Sequence, residues 1–304
     1  MEAVKSVAVI LNGISLKKKL FFTKLLPALQ QITDVHIYET RTKHDAIALT
    51  SKAVEKHYEV ILAAGGDGTL NQVVNGMLTG NESSSRLPAL GLIPLGSGND
   101  FARTVNIKPV ASLIRDLLLA NKPKPVDVGR ITFTGEEGIP VCYFINIADV
   151  GMGPEVVQHV LASGRAFGSE AAYYAAIIRT FFTYRPQEII LQTPLWNWSG
   201  PMRSAAIANG RFFGNGLGIA PDARVDDGTF SCFIAGKVSV LDFIIQNGRL
   251  RSGKRAIHDE IEYREANSVT ITASKKLPIE ADGELVGTLP VKIDVLAGRL
   301  KFLW

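Results

Sequence analysis

The first 120 residues alternate between short apolar segments and segments of helical periodicity, and this alternation limits the fold more than any other feature. Val7–Leu11 and Val60–Ala64 are apolar without interruption, whereas a strand with one face in water would alternate apolar and polar residues. Strands buried on both faces are typical of parallel sheets covered by helices. The sequence therefore predicts a Rossmann-like α/β domain with a parallel sheet over residues 1–125.

The pattern changes at Asn121–Pro125, where prolines and lysines mark a linker. Beyond it, short strands and glycine turns follow one another at a density typical of antiparallel β structure. Helical patterns interrupt them at Glu170–Thr183 and Val240–Leu250. Residues 126–304 are therefore predicted to form an all-β, sandwich-like antiparallel domain, with a cleft between the two domains.

Composition excludes several functional classes. With 46% apolar and 20% charged residues the chain is globular, and its net charge of 33 − 29 = +4 favours anionic partners but is too small to indicate nucleic-acid binding. The sequence contains no run of about 18 apolar residues, so it predicts no membrane-spanning helix. Cys142 and Cys232 stand in unrelated contexts and are expected to be reduced thiols. We expect a cytoplasmic protein, peripheral to the membrane, that meets lipid from the water side.

Three glycines and a carboxylate, Gly65-Gly66-Asp67-Gly68-Thr69, follow the apolar strand in EVILAAGGDGTLNQVVNG. A strand that passes through glycines into a helix N-terminus can bind a phosphate, because free N–H groups face the ligand and glycines let it approach. Asp67 would repel that phosphate unless a cation such as Mg²⁺ intervened. Thr69 and Asn71 either cap the helix or contact the ligand. The alternative is a tight turn capped by Asp67 without a ligand.

A second loop of the same design ends the next strand. Gly96 and Gly98 flank the small hydroxyl of Ser97, and Asn99 and Asp100 stand where a helix begins. Because the ends of parallel strands meet at one edge, where ligands bind in open α/β sheets, the two loops are expected to converge. A helix cap alone is the alternative for this loop.

The two loops, in GGDGT and PLGSGNDFA, resemble the nucleotide-binding signature of the diacylglycerol kinase catalytic family. The chain is most similar to the soluble bacterial lipid kinases, which are related to sphingosine and ceramide kinases. GGDGT alone would also fit NAD kinases and phosphofructokinases. The resemblance continues in order along the whole chain, through VDVG (Val126–Gly129), NIADVGMG (Asn146–Gly153), DDG (Asp226–Gly228) and DGE (Asp282–Glu284).

The resemblance implies ATP- and Mg²⁺-dependent phosphorylation of a lipid hydroxyl, with Glu284 as the general base and Asp67 as a catalytic carboxylate. It implies a water-mediated Mg²⁺ site organised by Asp67, Asp100 and Asp127. A second, structural Mg²⁺ would take the Asp227 carboxylate and the carbonyls of Arg224 and Thr229. The implied nucleotide-binding residues are Asn12, Thr40, Gly65, Gly66, Asp67, Gly68, Thr69, Asn71, Gln72, Gly96, Ser97, Gly98, Asn99 and Asp100.

The sequence departs from the family pattern at two places. The first loop keeps Asn12 and Ser15 but lacks the usual proline, and Gln72 replaces a glutamate near the phosphates. Lys17 is a further candidate phosphate contact, with a solvated helix face as the alternative. Two other functions stay open: a kinase acting on NAD or another soluble polyol, and a non-catalytic protein that binds nucleotide or lipid.

Two segments bear on the acceptor. The aromatic and apolar segment Ser169–Pro186 either borders a pocket for a lipid chain or packs in the core. The basic residues between Arg249 and Arg255 either meet anionic headgroups in a transient membrane-surface contact or form a solvated surface. We expect a lipid substrate and no nucleic acid as partners, and a homodimer stays open.

Overall fold

The computed structural model describes residues 4–42, 44–135, 141–162 and 170–304. The chain divides into two compact units, of which unit 1 comprises Met1–Val126 with Gly298–Trp304 and unit 2 comprises Asp127–Ala297. Residues 136–138, at the end of the predicted strand RITFTGEEG, lie outside the described residues, and so does Ser169, the first residue of the predicted segment Ser169–Pro186.

The helices and strands alternate in unit 1 and are mostly strands in unit 2. The elements that lie in unit 1 are β1 (Ser6–Leu11), α1 (Lys18–Leu20), a π-helical turn (Phe21–Leu25), α2 (Leu26–Gln30), β2 (Asp34–Glu39), α3 (Asp45–Glu55), β3 (Val60–Gly65), α4 (Asp67–Leu78), β4 (Ala89–Pro94), α5 (Asp100–Thr104) and α6 (Ala111–Ala120). The remaining elements are β5 (Lys124–Phe133), β6 (Cys142–Phe144), β7 (Ile147–Gly151), α7 (Met152–Ala162), α8 (Glu170–Thr183), β8 (Gln187–Gln192), β9 (Asn197–Met202), β10 (Ser204–Ala208), β11 (Phe230–Ala235), α9 (Val240–Arg251), β12 (Ile261–Ala266), β13 (Ser268–Ala273), β14 (Pro278–Ala281), β15 (Glu284–Thr288) and β16 (Val291–Phe302).

Unit 1 contains a parallel sheet in the order β2-β1-β3-β4. Every residue of β3 and β4 is buried, and so is every residue of β1 after Ser6, whereas the edge strand β2 has exposed residues. This is the burial pattern that uninterrupted apolar strands predict. The parallel α/β fold expected for the N-terminal part is confirmed.

The last residues of the chain complete unit 1. Phe302 pairs in parallel with Leu90 of β4, and the N–H of Leu303 donates to the carbonyl of Leu90 at 2.8 Å. The ring of Phe302 is fully buried and lies 5.4 Å from the ring of Phe101, measured between centroids. The sequence assigns residues 126–304 to the second domain as one block, and the structure differs at Gly298–Trp304, because these residues pair and pack within unit 1.

Unit 2 contains an antiparallel sheet in the order β12-β11-β10-β7-β14-β15. A second set of antiparallel strands has the order β16-β13-β8-β9. Strand β5 pairs with β16, and β6 pairs with β5. Alternate side chains of both sheets form one core, as Val150 and Ile207 from the first and Ile271 and Val291 from the second illustrate. The expected sandwich-like antiparallel domain is therefore confirmed.

Three helices cover the outer face of the six-stranded sheet of unit 2. Val156 of α7, Ile177 of α8 and Phe243 of α9 pack on a layer that includes Ala206 and Phe233 of the sheet. The sequence predicts α8 and α9 but not α7, which begins at Met152, directly after the predicted strand VCYFINIADVG, and has Pro154 in its first turn. A proline in the first turn of a helix is tolerated, since the N–H it lacks would have no helical partner.

The first helix is also less regular than predicted. The apolar periodicity predicts one helix over Leu16–Gln31, whereas the structure has a π-helical turn, Phe21–Leu25, between α1 and α2. Pro27 stands at the start of α2. Its ring and missing N–H are incompatible with an unbroken α-helix, and the wider turn before it accommodates both.

We predict that Phe302→Ala lowers the free energy of unfolding by about 3–5 kcal/mol, because it removes a fully buried ring and leaves a cavity. Denaturant unfolding followed by fluorescence and circular dichroism measures this change. Phe182→Ala is the matched control, since its side chain is 75% exposed and its loss should cost less than about 0.5 kcal/mol. Equal costs for the two variants would contradict the assignment of Phe302 to the core.

Candidate functional site

Four loops of unit 1 leave the sheet at the same edge, because β1 to β4 run parallel. Side chains of these loops contact one another. The amide of Asn12 donates to the hydroxyl of Thr69 at 3.2 Å, and the N–H of Gly13 donates to the hydroxyl of Thr40 at 3.2 Å. Three of the predicted nucleotide-binding side chains, from the loops after β1, β2 and β3, are thus brought to one edge.

The glycine loops after β3 and β4 cross without a side chain between them. A Cβ on Gly96 would lie 2.4 Å from the Cα of Gly66, so any larger residue would force the loops apart. The N–H of Leu95 donates to the carbonyl of Gly65 at 2.8 Å and ties the loops together. Asn99, in the left-handed region at φ 53°, accepts a hydrogen bond from the N–H of Gly96 at 3.0 Å. The two loops therefore form one rigid backbone surface.

Two carboxylates converge on Gly98 within this surface. A Cβ built on Gly98 would lie 3.2 Å from Oδ2 of Asp67 and 3.7 Å from Oδ2 of Asp100. Oδ1 of Asp67 accepts a hydrogen bond from the N–H of Phe101 at 3.1 Å. Desolvation raises the pKa of Asp67, and backbone N–H groups at Phe101 and Asp100 offset part of that rise. A nearby cation would favour the ionised form of Asp67.

The other predicted residues of these loops occupy distinct positions. Asn71 is buried in α4, where its carbonyl accepts from the amide of Asn75 at 2.9 Å, and Gln72 is half-buried. Ser97 is exposed at the tip of its loop. Lys17 reaches the same loop, because its ammonium donates to the carbonyl of Gly96 at 2.8 Å. Gly68 lies in the first turn of α4, which begins directly after Gly66.

The carboxylates at Gly98 suit Mg²⁺, which takes one or two protein carboxylates and completes its shell with phosphate and water. Among the residues that the structure describes, no group of three His, Cys, Asp or Glu side chains could hold a metal ion without such help. Asp67 and Asp100 are thus two carboxylates of unit 1 that could hold such an ion together with ligand oxygens.

The remaining metal candidates lie in unit 2. Oδ2 of the buried Asp127 accepts from the N–H of Gly228 at 2.7 Å, and its own N–H donates to the carbonyl of Val225 at 2.7 Å. Oδ1 of Asp227 accepts from the N–H of Thr229 at 3.1 Å. The structure thus brings Asp127 to the loop that carries Asp227, Thr229 and, at its start, the exposed Arg224. Asp67 and Asp100, with which the sequence groups Asp127, belong to unit 1.

Glu284 occupies the first position of β15, after a tight turn. Asp282 and Gly283 have positive φ values of 51° and 86°, as a two-residue hairpin turn of type I′ requires. The buried carboxylate of Asp282 accepts hydrogen bonds from the N–H groups of three successive residues at 3.0 Å each, those of Ile145, Asn146 and Ile147. Asp282 thereby fixes the hairpin and positions the half-buried Glu284, a role that the sequence analysis missed.

A second pair of carboxyl groups, Asp149 and Glu280, is buried on neighbouring strands and was also missed. The two residues pair directly between β7 and β14 and are almost fully buried. Oδ1 of Asp149 accepts from the hydroxyl of Ser204 at 2.8 Å, and Oε2 of Glu280 accepts from the N–H of Gly283 at 2.8 Å. Burial raises the pKa of Asp149 to about 7, and burial beside Asp149 raises that of Glu280 well above its ordinary value. The only sequence signal of the pair is an acidic residue within each of two largely apolar segments, Asp149 in IADVG and Glu280 in PIEADG.

An apolar cavity of about 100 Å³ lies in unit 2 beneath the covering helices. Its wall includes Tyr173, Ile177 and Phe181, all on α8, so residues of the predicted segment 169–186 border a cavity and also pack in the core. Most of the lining is apolar, and its polar residues include Asp149, Arg203, Ser204, Asp242 and Gln246. No helix among the described residues has the length and apolar content needed to cross a bilayer.

The two parts of the chain match two domains of known proteins. Residues 6–131 match the family described as the diacylglycerol kinase catalytic domain, and residues 147–304 match the YegS C-terminal NAD kinase beta sandwich-like domain. An N-terminal kinase domain followed by this sandwich defines an enzyme of the kinase class. The chain belongs to the diacylglycerol kinase family, which confirms the resemblance inferred from its motifs.

Individual relatives agree with this assignment. A diacylglycerol kinase from Bacillus subtilis (strain 168) is 30% identical over 280 residues, which cover 90% of this chain and 88% of that protein. One from Staphylococcus aureus (strain JH9) is 28% identical over 281 residues, covering 90% and 84%. The crystal structure of a provisional diacylglycerol kinase from Bacillus anthracis str. Sterne, 24% identical, covers 100% of this chain and 99% of its own with a TM-score of 0.82, which supports the fold.

We predict that the buried acid pair makes stability fall as the pH rises. Between about pH 4 and 7 the unfolded chain loses the Asp149 proton that the folded chain retains, so the free energy of unfolding decreases across this window by up to about 4 kcal/mol. Asp149→Asn should flatten that decrease in denaturant unfolding measured from pH 4 to pH 8. The exposed Asp116→Asn is the control, and an unchanged slope in Asp149→Asn would contradict the prediction.

Proposed function

We propose that the chain is an ATP- and Mg²⁺-dependent kinase that phosphorylates a hydroxyl group of a diacylglycerol-like lipid. The observation that carries this proposal is the crossing of two glycine loops at Gly66 and Gly96, with the carboxylates of Asp67 and Asp100 converging on Gly98. A crossing of two loops with no side chain between them, at the carboxyl edge of a parallel sheet, suits a triphosphate. Membership in the family and the names of the relatives support a lipid acceptor.

The nucleotide would be held mainly by backbone groups and small side chains. Gly66 and Gly68 carry no side chain that would hinder a phosphate, and the positive end of α4, which begins at Asp67, would face the phosphates. Asn12, Thr40, Gly65, Thr69, Asn71, Gln72, Ser97 and Asn99 are proposed to complete this site. Lys17 would add a positive charge, since its ammonium already lies 2.8 Å from the carbonyl of Gly96.

The carboxylates are proposed to act through charge. When bound, Mg²⁺ would neutralise charge on the phosphates during transfer. Asp67 and Asp100 would hold it, directly or through water, and a part for Asp127 in this network stays a prediction from the family resemblance. The loop with Arg224, Asp227 and Thr229 is proposed as a structural cation site, for which the Asp227 carboxylate and backbone carbonyls are suitable hard oxygen ligands.

Glu284 is the proposed general base. Its carboxylate would take the proton of the lipid hydroxyl as the oxygen bonds to the γ-phosphorus of ATP, while the bond to the ADP oxygen breaks. The proposal is supported by the firm anchoring of the neighbouring turn through Asp282, because a base must be held in position to be effective.

The apolar cavity of unit 2 is the proposed site for part of the acyl chain. Its lining is apolar apart from a few polar groups, as is usual for lipid sites, and α8 and α9 both contribute to it. A lipid substrate of this kind would be reached at a membrane surface. We therefore also propose that the protein acts in the cytoplasm, in transient contact with the membrane.

The proposal is tested by incubating the protein with labelled ATP, Mg²⁺ and mixed micelles that contain diacylglycerol, with parallel incubations containing NAD or soluble polyols. Transfer to the lipid alone is the expected outcome. Transfer only to a soluble acceptor, or ATP binding without transfer to any acceptor, would contradict the lipid-kinase assignment.

We predict that Asp67→Asn lowers kcat by about 10²-fold or more, because it removes a charge that organises the cation but keeps the shape of the side chain. Micelle assays at saturating lipid and ATP measure the loss, and thermal unfolding checks that the fold persists. Asp259→Asn, at an exposed position, is the matched control. Full turnover by Asp67→Asn would remove Asp67 from the proposed site.

We predict that Glu284→Gln lowers kcat by about 10²- to 10⁴-fold while leaving the affinity for ATP unchanged, since the amide keeps the shape but cannot accept a proton. The control is Glu188→Gln on the exposed side of β8. An equal loss of ATP affinity would indicate a structural role for Glu284 instead of base catalysis.

A further inference from the structure

Helix α9 exposes three large aliphatic side chains on one face. Leu241, Ile244 and Ile245 are 67%, 49% and 72% exposed, and their spacing of three and four residues places them side by side on the helix. Ile257, which is 66% exposed, follows a few residues after the helix ends. Single exposed aliphatic residues are ordinary, but a cluster on one helical face indicates a contact surface.

The opposite face of α9 is firmly packed, so the exposure of the first face does not come from a loosely attached helix. The ring of Phe243 lies 5.2 Å from that of Phe181 and 5.8 Å from that of Tyr174. Leu250 is buried in the same layer. The start of the helix is fixed by a capping box, in which the hydroxyl of Ser239 accepts from the N–H of Asp242 at 3.2 Å.

Basic side chains border the exposed aliphatic face. Residues 240–257 contain four basic residues and one acidic residue. Arg251 and Lys254 are exposed, and the guanidinium of Arg249 donates to the carbonyl of Arg255 at 2.9 Å. Arg255 also pairs with Asp222 at 2.6 Å. Aliphatic side chains next to a surplus of positive charge are complementary to an anionic bilayer, because the two kinds of group meet acyl chains and headgroups respectively.

We propose that the outer face of α9, defined as Leu241, Ile244, Ile245, Arg251 and Lys254, is the surface that docks on an anionic lipid bilayer. Two observations support this occupant: the sign of the charges, and the continuity of the helix with the apolar cavity. Phe243 and Leu250 on the inner side of the same helix line that cavity. The role of this surface in delivering substrate rests on the proposed function, whereas the docking itself does not.

The test is co-sedimentation of the full-length protein with vesicles of phosphatidylcholine containing about one third phosphatidylglycerol, compared with pure phosphatidylcholine. The wild type should bind the anionic vesicles and lose affinity as salt increases. Combined Leu241→Ser, Ile244→Ser and Ile245→Ser should weaken binding at least tenfold. The matched control replaces three exposed leucines of other surfaces, in the variant L16S/L119S/L195S, and should bind as the wild type does.

A charge variant completes the design. R251Q/K254Q should weaken binding to anionic vesicles and reduce its salt dependence, whereas K52Q/K301Q, which removes two exposed lysines elsewhere, should change binding only slightly. Equal losses in the α9 and control variants, or no loss in either α9 variant, would overturn the proposal. So would a wild-type dimer in sedimentation velocity that the α9 aliphatic variant converts to a monomer, because the face would then bind a second copy.

Kinase activity on a short-chain, water-soluble diacylglycerol separates this proposal from the proposed function. The α9 variants should retain this activity, which also shows that they are folded, while losing activity on vesicle-embedded lipid. Vesicle binding by a wild type that phosphorylates no lipid would remove the kinase proposal and leave the docking surface standing. Activity of the α9 variants that stays at the wild-type level on both substrates would contradict the docking surface alone.

Discussion

The close approach of two backbone segments at Gly66 and Gly96 is the constraint on which the candidate site depends. A methyl group at either position would meet main-chain carbon of the other loop, so these two loops can touch only because neither carries a side chain there. Next to that contact, the carboxylates of Asp67 and Asp100 both lie close to Gly98. The absence of side chains at the crossing also lets a phosphate approach the backbone closely there.

Much of the fold follows from local pattern. Uninterrupted apolar strands such as β3 predict a sheet buried on both faces, and the glycines that end them predict where the polar loops collect. The features that sequence does not reveal depend on pairing between distant residues. The sequence does not reveal, for example, that the carboxylate of Asp127 accepts a hydrogen bond from the N–H of Gly228, about a hundred residues further along the chain. Helix α7 was hidden because Pro154, a helix breaker elsewhere, stands in its first turn.

The buried acids show a further limit of sequence reasoning. Asp149 and Glu280 lie 131 residues apart in the chain and become neighbours only when β7 and β14 pair. Before that pairing is known, each is one polar residue in an apolar strand, which has many explanations. Asp282 differs, because a carboxylate before glycine at a strand end does suggest a turn, although its three N–H partners around Asn146 do not follow from the sequence.

The return of the final strand to unit 1 has a consequence for how the protein is made. Residues 1–126 are synthesised well before Phe302 and Leu303, which are buried in the core of the same unit. Residues 1–126 therefore cannot reach their final packing until those two residues have been synthesised, and they must stay protected from aggregation until then. A chain that stopped after Ala297 would contain all of unit 2 but would lack Phe302 and Leu303 in the core of unit 1.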